Sequence, residues 1–367
     1  TFYLSSSLAA KMHSFVAFTI LLLVQNANLI QGDPVGRDFE ALGYGPEPLA
    51  LPCPMEEDIA PCMCHYNAYD HTMDLNCSLV SGEADLNRVF QAYFPFPSFK
   101  KLSILDNIHL KVISDGAFGN VTFETVEITS GAVRSVDANA FSKSAATLTS
   151  LNLASNHISE FSFETLTSFS VLDSLILRHN ELTMIPPLTM SKLIDLDLSE
   201  NPIQALPENV FNGIPRIHHI YMDKTNIQEL AKQLFGSNRD LYDISFGGSQ
   251  IRHLLKDSLR INGSPNLHFI ELYDNQINNI EAGAIVGASN VEILLMNNAI
   301  ETLPETVFKP LLASNNVLRL EGNPLGCGCD VAWLVTDSSF HHLVSDATCY
   351  DGEVLINLDP TFYEDFC

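Results

Sequence analysis

The sequence predicts an α/β solenoid with a parallel β-sheet on its concave side and a disulfide-stapled cap at each end. Three observations predict it. An apolar pattern recurs about every 24 residues through the middle of the 367-residue chain. A second apolar column follows each copy at a constant offset. All eight cysteines lie outside this middle, four near the start and four near the end.

The pattern reads apolar, two variable residues, apolar, one variable, apolar, two variable, then Asn. Its clearest copies are Leu148-Leu151-Leu153-Asn156, Leu172-Leu175-Leu177-Asn180, Leu193-Leu196-Leu198-Asn201 and Leu267-Ile270-Leu272-Asn275. Phe99-Leu102-Ile104-Asn107 opens the array. Phe123-Val126-Ile128 ends on Gly131, Ile217-Ile220-Met222 on Thr225, and Leu241-Ile244-Phe246 on Ser249. Ile293-Leu295-Asn298 and Leu318-Leu320-Asn323 close it without the leading apolar residue. About ten units of this period define a leucine-rich-repeat horseshoe. The central apolar-x-apolar is a short strand whose alternate side chains point inward. One unit cannot bury its apolar side alone, so stability comes from stacked neighbours. The Asn turns the chain out of the strand and can satisfy loop carbonyl and N–H groups. Gly131 has no side chain to do this, so its turn is expected to be the least firmly held.

About ten residues past each turn stands a large apolar residue: Phe141, Leu166, Met190, Phe211, Phe235, Leu259, Ile285 and Phe308, with Phe118 one residue late. This column is expected to form the spine of an irregular or short-helical convex side. The first and last units need closing, because each would expose an apolar face. Cys53, Cys62, Cys64 and Cys77 belong to the front cap, and Cys327, Cys329, Cys349 and Cys367 to the back. Their spacings are too irregular for paired zinc ligands, so disulfides in an oxidising compartment are expected. Spacing alone leaves three pairings open within each cluster. Trp333, the only tryptophan, is expected to pack over the last repeat.

The chain divides accordingly. Residues 1–11 read as untranslated leader ahead of Met12, 12–32 as a signal peptide around the apolar run Phe15 to Val24, and 33–52 as a linker. Residues 53–98 form the front cap, 99–322 the repeats and 323–367 the back cap. No later segment has the apolar length to span a bilayer. Sequons at Asn76, Asn120 and Asn262 fit a secreted, extracellular glycoprotein, the first with Cys77 as its middle residue.

With 44 acidic against 19 basic residues the net charge is -25, which disfavours nucleic acid and anionic membranes as partners. No phosphate loop, His-Glu-x-x-His or Gly-x-Ser-x-Gly elbow occurs. A solenoid with polar strand faces encloses no apolar pocket. We therefore expect no enzyme, cofactor or metal. The outward strand positions of the middle units assemble a candidate binding face instead. They are His218, His219, Tyr221 and Asp223; Tyr242 and Asp243; then His268, Phe269, Glu271, Tyr273 and Asp274. Strands about 4.8 Å apart stack Tyr221, Ser245 and Glu271 in one column and His218, Tyr242 and His268 in another. Two strands separate the two histidines by about 9–10 Å, too far to share a zinc ion. The face suits a protein partner, since aromatic residues concentrate at binding hot spots.

Several stretches resemble one arthropod family. They are Asp58-Ile-Ala-Pro-Cys62-Met-Cys64, Val89-Phe-Gln-Ala-Tyr-Phe94-Pro-Phe, Gly116-Ala-Phe-Gly-Asn120-Val-Thr-Phe, Leu303-Pro-Glu-Thr-Val-Phe308 and Asn323-Pro-Leu-Gly-Cys-Gly-Cys-Asp-Val-Ala-Trp-Leu334. In that order they resemble the oplophorus-luciferin 2-monooxygenase (shrimp luciferase) non-catalytic subunit family, from about Cys53 to Cys367. The resemblance implies a secreted accessory subunit associated with a small catalytic subunit; light emission is not implied. Resemblance to the flanking caps of extracellular leucine-rich repeats implies the pairs Cys53–Cys64, Cys62–Cys77, Cys327–Cys349 and Cys329–Cys367. The alternative function is a stand-alone recognition protein for innate defence or adhesion, binding glycan or a receptor.

Overall fold

A computed structural model describes residues 52–367; the leader, the signal peptide and all but the last linker residue lie outside it. Among the described residues the dominant element is a twelve-stranded sheet. Ten of its strands come from the repeats and run parallel, from Ser98–Leu105 to Val317–Arg319. Most units contribute one buried central residue flanked by two half-exposed ones, as apolar-in alternation requires; Ser245 is buried and Phe269 exposed. Leu175, Leu196, Ile220, Ile244, Ile270, Ile293 and Leu318 lie in register across adjacent strands and are buried.

The front cap adds to this sheet. Met63–Asn67 and Thr72–Asn76 form an antiparallel hairpin whose second strand pairs in parallel with Ser98–Leu105. Leu75 thereby sits beside Leu102 and begins the buried column one strand ahead of the first repeat. The hairpin is stapled by Cys53–Cys64 and Cys62–Cys77; the back cap holds Cys327–Cys349 and Cys329–Cys367. Trp333 donates from Nε1 to Leu303 O at 2.8 Å, fixing the back cap onto the last convex loop.

The convex side carries 3-10 turns at Ser142–Ser144 and Phe163–Ser168 and one helix, Glu305–Ala313. It also carries short parallel ladders, such as Val112–Ile113 with Ser135–Val136 and then Glu160–Phe161. The spine column from Phe118 to Phe308 is buried throughout. Phe118 stacks on Phe141 at 5.4 Å and Phe211 on Phe235 at 5.5 Å.

The turn asparagines form a ladder of their own. From Asn156 onward each sends its amide N–H back to the carbonyl ending the previous unit's strand, and its oxygen accepts from a backbone N–H of that unit's loop; the Asn107 oxygen accepts from His109 N and Leu110 N of its own loop. Asn180 bonds Leu153 O at 3.0 Å and Ile158 N at 3.0 Å; Asn275 bonds Phe246 O at 2.9 Å and Ile251 N at 3.0 Å. The residue just before each turn position is left-handed, from Asp106 (φ 53°) to Gly322 (φ 76°). Gly131 lacks these side-chain bonds and its turn keeps only the backbone set that the Asn156 turn also makes. Its N–H donates to Ser155 O, Ala132 N to Asn107 O and Val133 N to Asn156 Oδ1, so both neighbouring units hold this turn. A Cβ there would lie 2.9 Å from both Asn107 O and Asn156 Oδ1, so glycine admits the close approach.

Leu177 is fully buried between units. Leu177→Ala is expected to cost about 2–5 kcal/mol by cavity formation. An unchanged denaturant midpoint would show that this column is not the core.

Candidate functional site

The site lies on the concave face between the strands Asp195–Asp197 and Glu292–Leu294. His219, Tyr221 and Asp223 project outward because Ile217, Ile220 and Met222 take the inward positions. The register places His219, Asp243 and Phe269 in one row, and Tyr221, Ser245 and Glu271 in the next. His218, Tyr242 and His268 form a third row along the upstream edge, the side from which the chain runs into the strands. Their rings are 5.0 Å and 5.6 Å apart.

These rows join into one belt of rings. Tyr221 lies parallel to His219 at 6.1 Å, His219 is 5.7 Å from Tyr242, and His268 is 6.5 Å from Phe269. Carboxylates fill the spaces between. His219 Nδ1 is 2.9 Å from Asp243 Oδ2, and its Nε2 is 3.9 Å from Asp195 Oδ1. Asp223 accepts from Gly247 N at 2.7 Å and from the Ser245 hydroxyl. Tyr273 lies across Gly247, where a Cβ would overlap its ring. That glycine is what lets the tyrosine lie flat on the sheet.

Asp274 stands apart from this group. It is a left-handed rim residue (φ 52°) whose carboxylate accepts from Asn297 Nδ2 at 2.7 Å. Three further contributors sit at the same face positions, Asp195 and Asp197 one strand upstream and Gly247 under Tyr273, beside the Ser245 already placed by the repeat register. The repeat pattern could have found the two aspartates, since Asp195-Leu196-Asp197 occupies the same register one unit earlier.

Electrostatically the face is under-compensated. Among the described residues no Lys or Arg lies within ion-pair distance of Asp195, Asp197, Asp223, Asp243 or Glu271; His219 alone does. The basic residues nearby are engaged at the downstream rim, where Glu200 takes Arg178 at 2.6 Å and Lys224 at 3.3 Å. The Arg178 hydrogen bond holds Glu200 below the usual carboxylate range. On the face itself burial pushes Asp223 up, against hydrogen bonds from Ser245 and Gly247. Burial and then the Asp223 charge push Glu271 up. Burial, then Asp243 and Asp195, raise the Tyr221 phenol. No group of three or more His, Cys, Asp or Glu side chains among the described residues is arranged to hold a metal ion.

A carboxyl whose folded pKa is raised contributes stability when protonated, and loses it as pH rises through the folded value. Glu271→Gln is therefore expected to raise the unfolding temperature at pH 7, with the gain vanishing near about pH 3. A variant no more stable than the parent at pH 7 would show that this charge is not repelled.

The fold defines the class: a disulfide-capped leucine-rich-repeat protein with an open concave face. Family models agree, one described as leucine rich repeat over residues 170–227 and one as a BspA type leucine rich repeat region over residues 89–189. The chain is 32% identical over 321 residues to the oplophorus-luciferin 2-monooxygenase non-catalytic subunit of Oplophorus gracilirostris, covering 87% of this chain and 89% of that one. It belongs to this family of non-catalytic subunits. It is also 30% identical over 135 residues to osteomodulin of Bos taurus, covering 36% of this chain and 30% of that one. Among solved structures it is similar in fold to a chain from the octameric complex of latrophilin 3, Unc5D and FLRT2. That match has a TM-score of 0.64 at 19% identity, over 84% of this chain and 98% of that one. Among the described residues no helix is long and apolar enough to cross a membrane.

Proposed function

We propose that this chain is a secreted, non-catalytic accessory subunit that holds a smaller protein partner on its concave face. The observation that carries the reading is the ring belt from Tyr221 to Phe269, set among five carboxylates with no Lys or Arg paired to them. Half-buried aromatic rings supply rigid contact area. Desolvated, uncompensated carboxylates favour a partner that brings cations, and a Lys or Arg over Tyr221 or Tyr242 would also gain a cation–π contact. The partner face is therefore basic. The relative's name, a non-catalytic subunit of a monooxygenase, supports an accessory role beside a separate catalytic chain.

The test is purification of the native protein from its own secreted fluid, with mass spectrometry of what accompanies it. One smaller, basic chain at a fixed ratio is the expected result. Absence of any stoichiometric companion would overturn the accessory reading in favour of a free recognition protein, to be screened against glycans and receptors.

A further inference from the structure

The three sequons do not occupy equivalent places in the fold. Asn120 and Asn262 are both exposed and both lie on the upstream flank, in loops that run from the convex spine into a strand. Asn120 follows Phe118 and leads into Thr122–Thr129; Asn262 follows Leu259–Arg260 and leads towards Phe269–Glu271. A left-handed glycine adjoins each, Gly119 (φ 54°) before Asn120 and Gly263 (φ 73°) after Asn262. Gly263 has open space where a side chain would project. Asn76 is different. It ends a strand inside the sheet, opposite Ser103, and is half-buried. Its Oδ1 accepts from Ser78 N at 2.9 Å, and Cys77 between them is fully buried in the bridge to Cys62. The hydroxyl of Ser78 is itself spent on Leu105 N at 2.9 Å, and its carbonyl on Asn107 Nδ2 at 2.9 Å.

We propose that Asn120 and Asn262 carry N-linked glycans and that Asn76 does not. The donor is a lipid-linked pyrophosphoryl oligosaccharide of the secretory pathway. The amide nitrogen attacks C1 of the first sugar, the bond from C1 to the pyrophosphate oxygen breaks, the lipid pyrophosphate leaves, and the amide gives up one proton. Asn262 Nδ2 donates to Gly236 O at 2.6 Å, but this bond is exposed and joins two surface loops, so at Asn120 and Asn262 the product projects into solvent. At Asn76 a glycan would have to displace a sheet strand and its buried disulfide. The two occupied sites stand six strands apart, about 29 Å along the sheet. Glycans are bulky and hydrated, so the pair sheathes the upstream flank and leaves the concave face and the downstream asparagine flank bare. This arrangement suits the proposed partner face, on which the second half of the inference rests.

The test is glycopeptide mapping of the full chain secreted from eukaryotic cells, with glycosidase release in heavy-oxygen water to mark each formerly occupied asparagine. Heavy aspartate at residues 120 and 262, and unmodified Asn76, is the expected result. Asn120→Gln and Asn262→Gln each remove one glycan's mass step, and Asn76→Gln removes none. A marked residue 76, or an unmarked 120 or 262, overturns the assignment whatever the partner proves to be. If the assignment stands, affinity for a co-purified partner should be unchanged in the Asn120→Gln, Asn262→Gln double variant. A loss of affinity there would overturn the claim that the sheathed flank is not a contact surface.

Discussion

Asn201→Ala should destabilise the protein by about 3–9 kcal/mol, although it removes no apolar contact. Asn201 is buried, and its amide donates to Leu177 O at 2.9 Å and Leu198 O at 3.0 Å while its oxygen accepts from Leu182 N at 3.0 Å. Alanine would strand two carbonyls and one N–H in the interior, and each unsatisfied buried group costs about 1–3 kcal/mol. Because the bonds to Leu177 O and Leu182 N span two units, much of the loss falls on the coupling between neighbours that holds a solenoid together. Denaturant unfolding measures the total, and amide exchange at Leu182 locates it. Thr225→Ala is the contrast. Its hydroxyl meets only the Ser249 hydroxyl, at 3.0 Å, so about 1 kcal/mol is expected. Equal effects at the two turns would show that the asparagine ladder has no special weight.

Tyr221→Ala combined with Glu271→Ala should weaken binding of the co-purified partner by about 30-fold or more while leaving the protein folded. An interfacial tyrosine at a hot spot is worth about 2 kcal/mol or more, and every 1.4 kcal/mol is tenfold in affinity. Neither side chain carries the core: Tyr221 lies on His219, and Glu271 is repelled by burial and by Asp223. The double variant should unfold no earlier than Glu271→Gln less the lost ring contact. Raising the salt concentration should weaken the parent complex more than that of the variant, since a charged group has been removed. Calorimetry across a salt series gives both quantities. Affinity within about threefold of the parent would dispose of the concave-face reading. The same experiment asks whether stability has been yielded for binding, as often happens where a face must stay unsatisfied until its partner arrives.

The period-24 pattern determined the solenoid, because alternate apolar residues in a short strand can be buried only by identical strands on either side. It thereby determined the register: Tyr221 beside Ser245 beside Glu271 follows from counting 24 and then 26 residues. The spine and the cysteine-bearing ends followed for the same reason, since each is local in sequence or repeats at fixed offset. Other features came only from tertiary structure. The tightness of the Gly131 turn depends on Asn107 and Asn156, which reach it from the units on either side. The extra strand of the front cap is set by its hairpin pairing. Tyr273 lies flat because residue 247, one unit away, has no side chain. The charge imbalance of the face depends on where Arg178 and Lys224 spend their charge, on Glu200 at the rim. One-dimensional periodicity fixes which residues face which way. How strongly a face is charged, covered or desolvated depends on side chains from neighbouring coils, 20 or more residues away, and only their packing decides it.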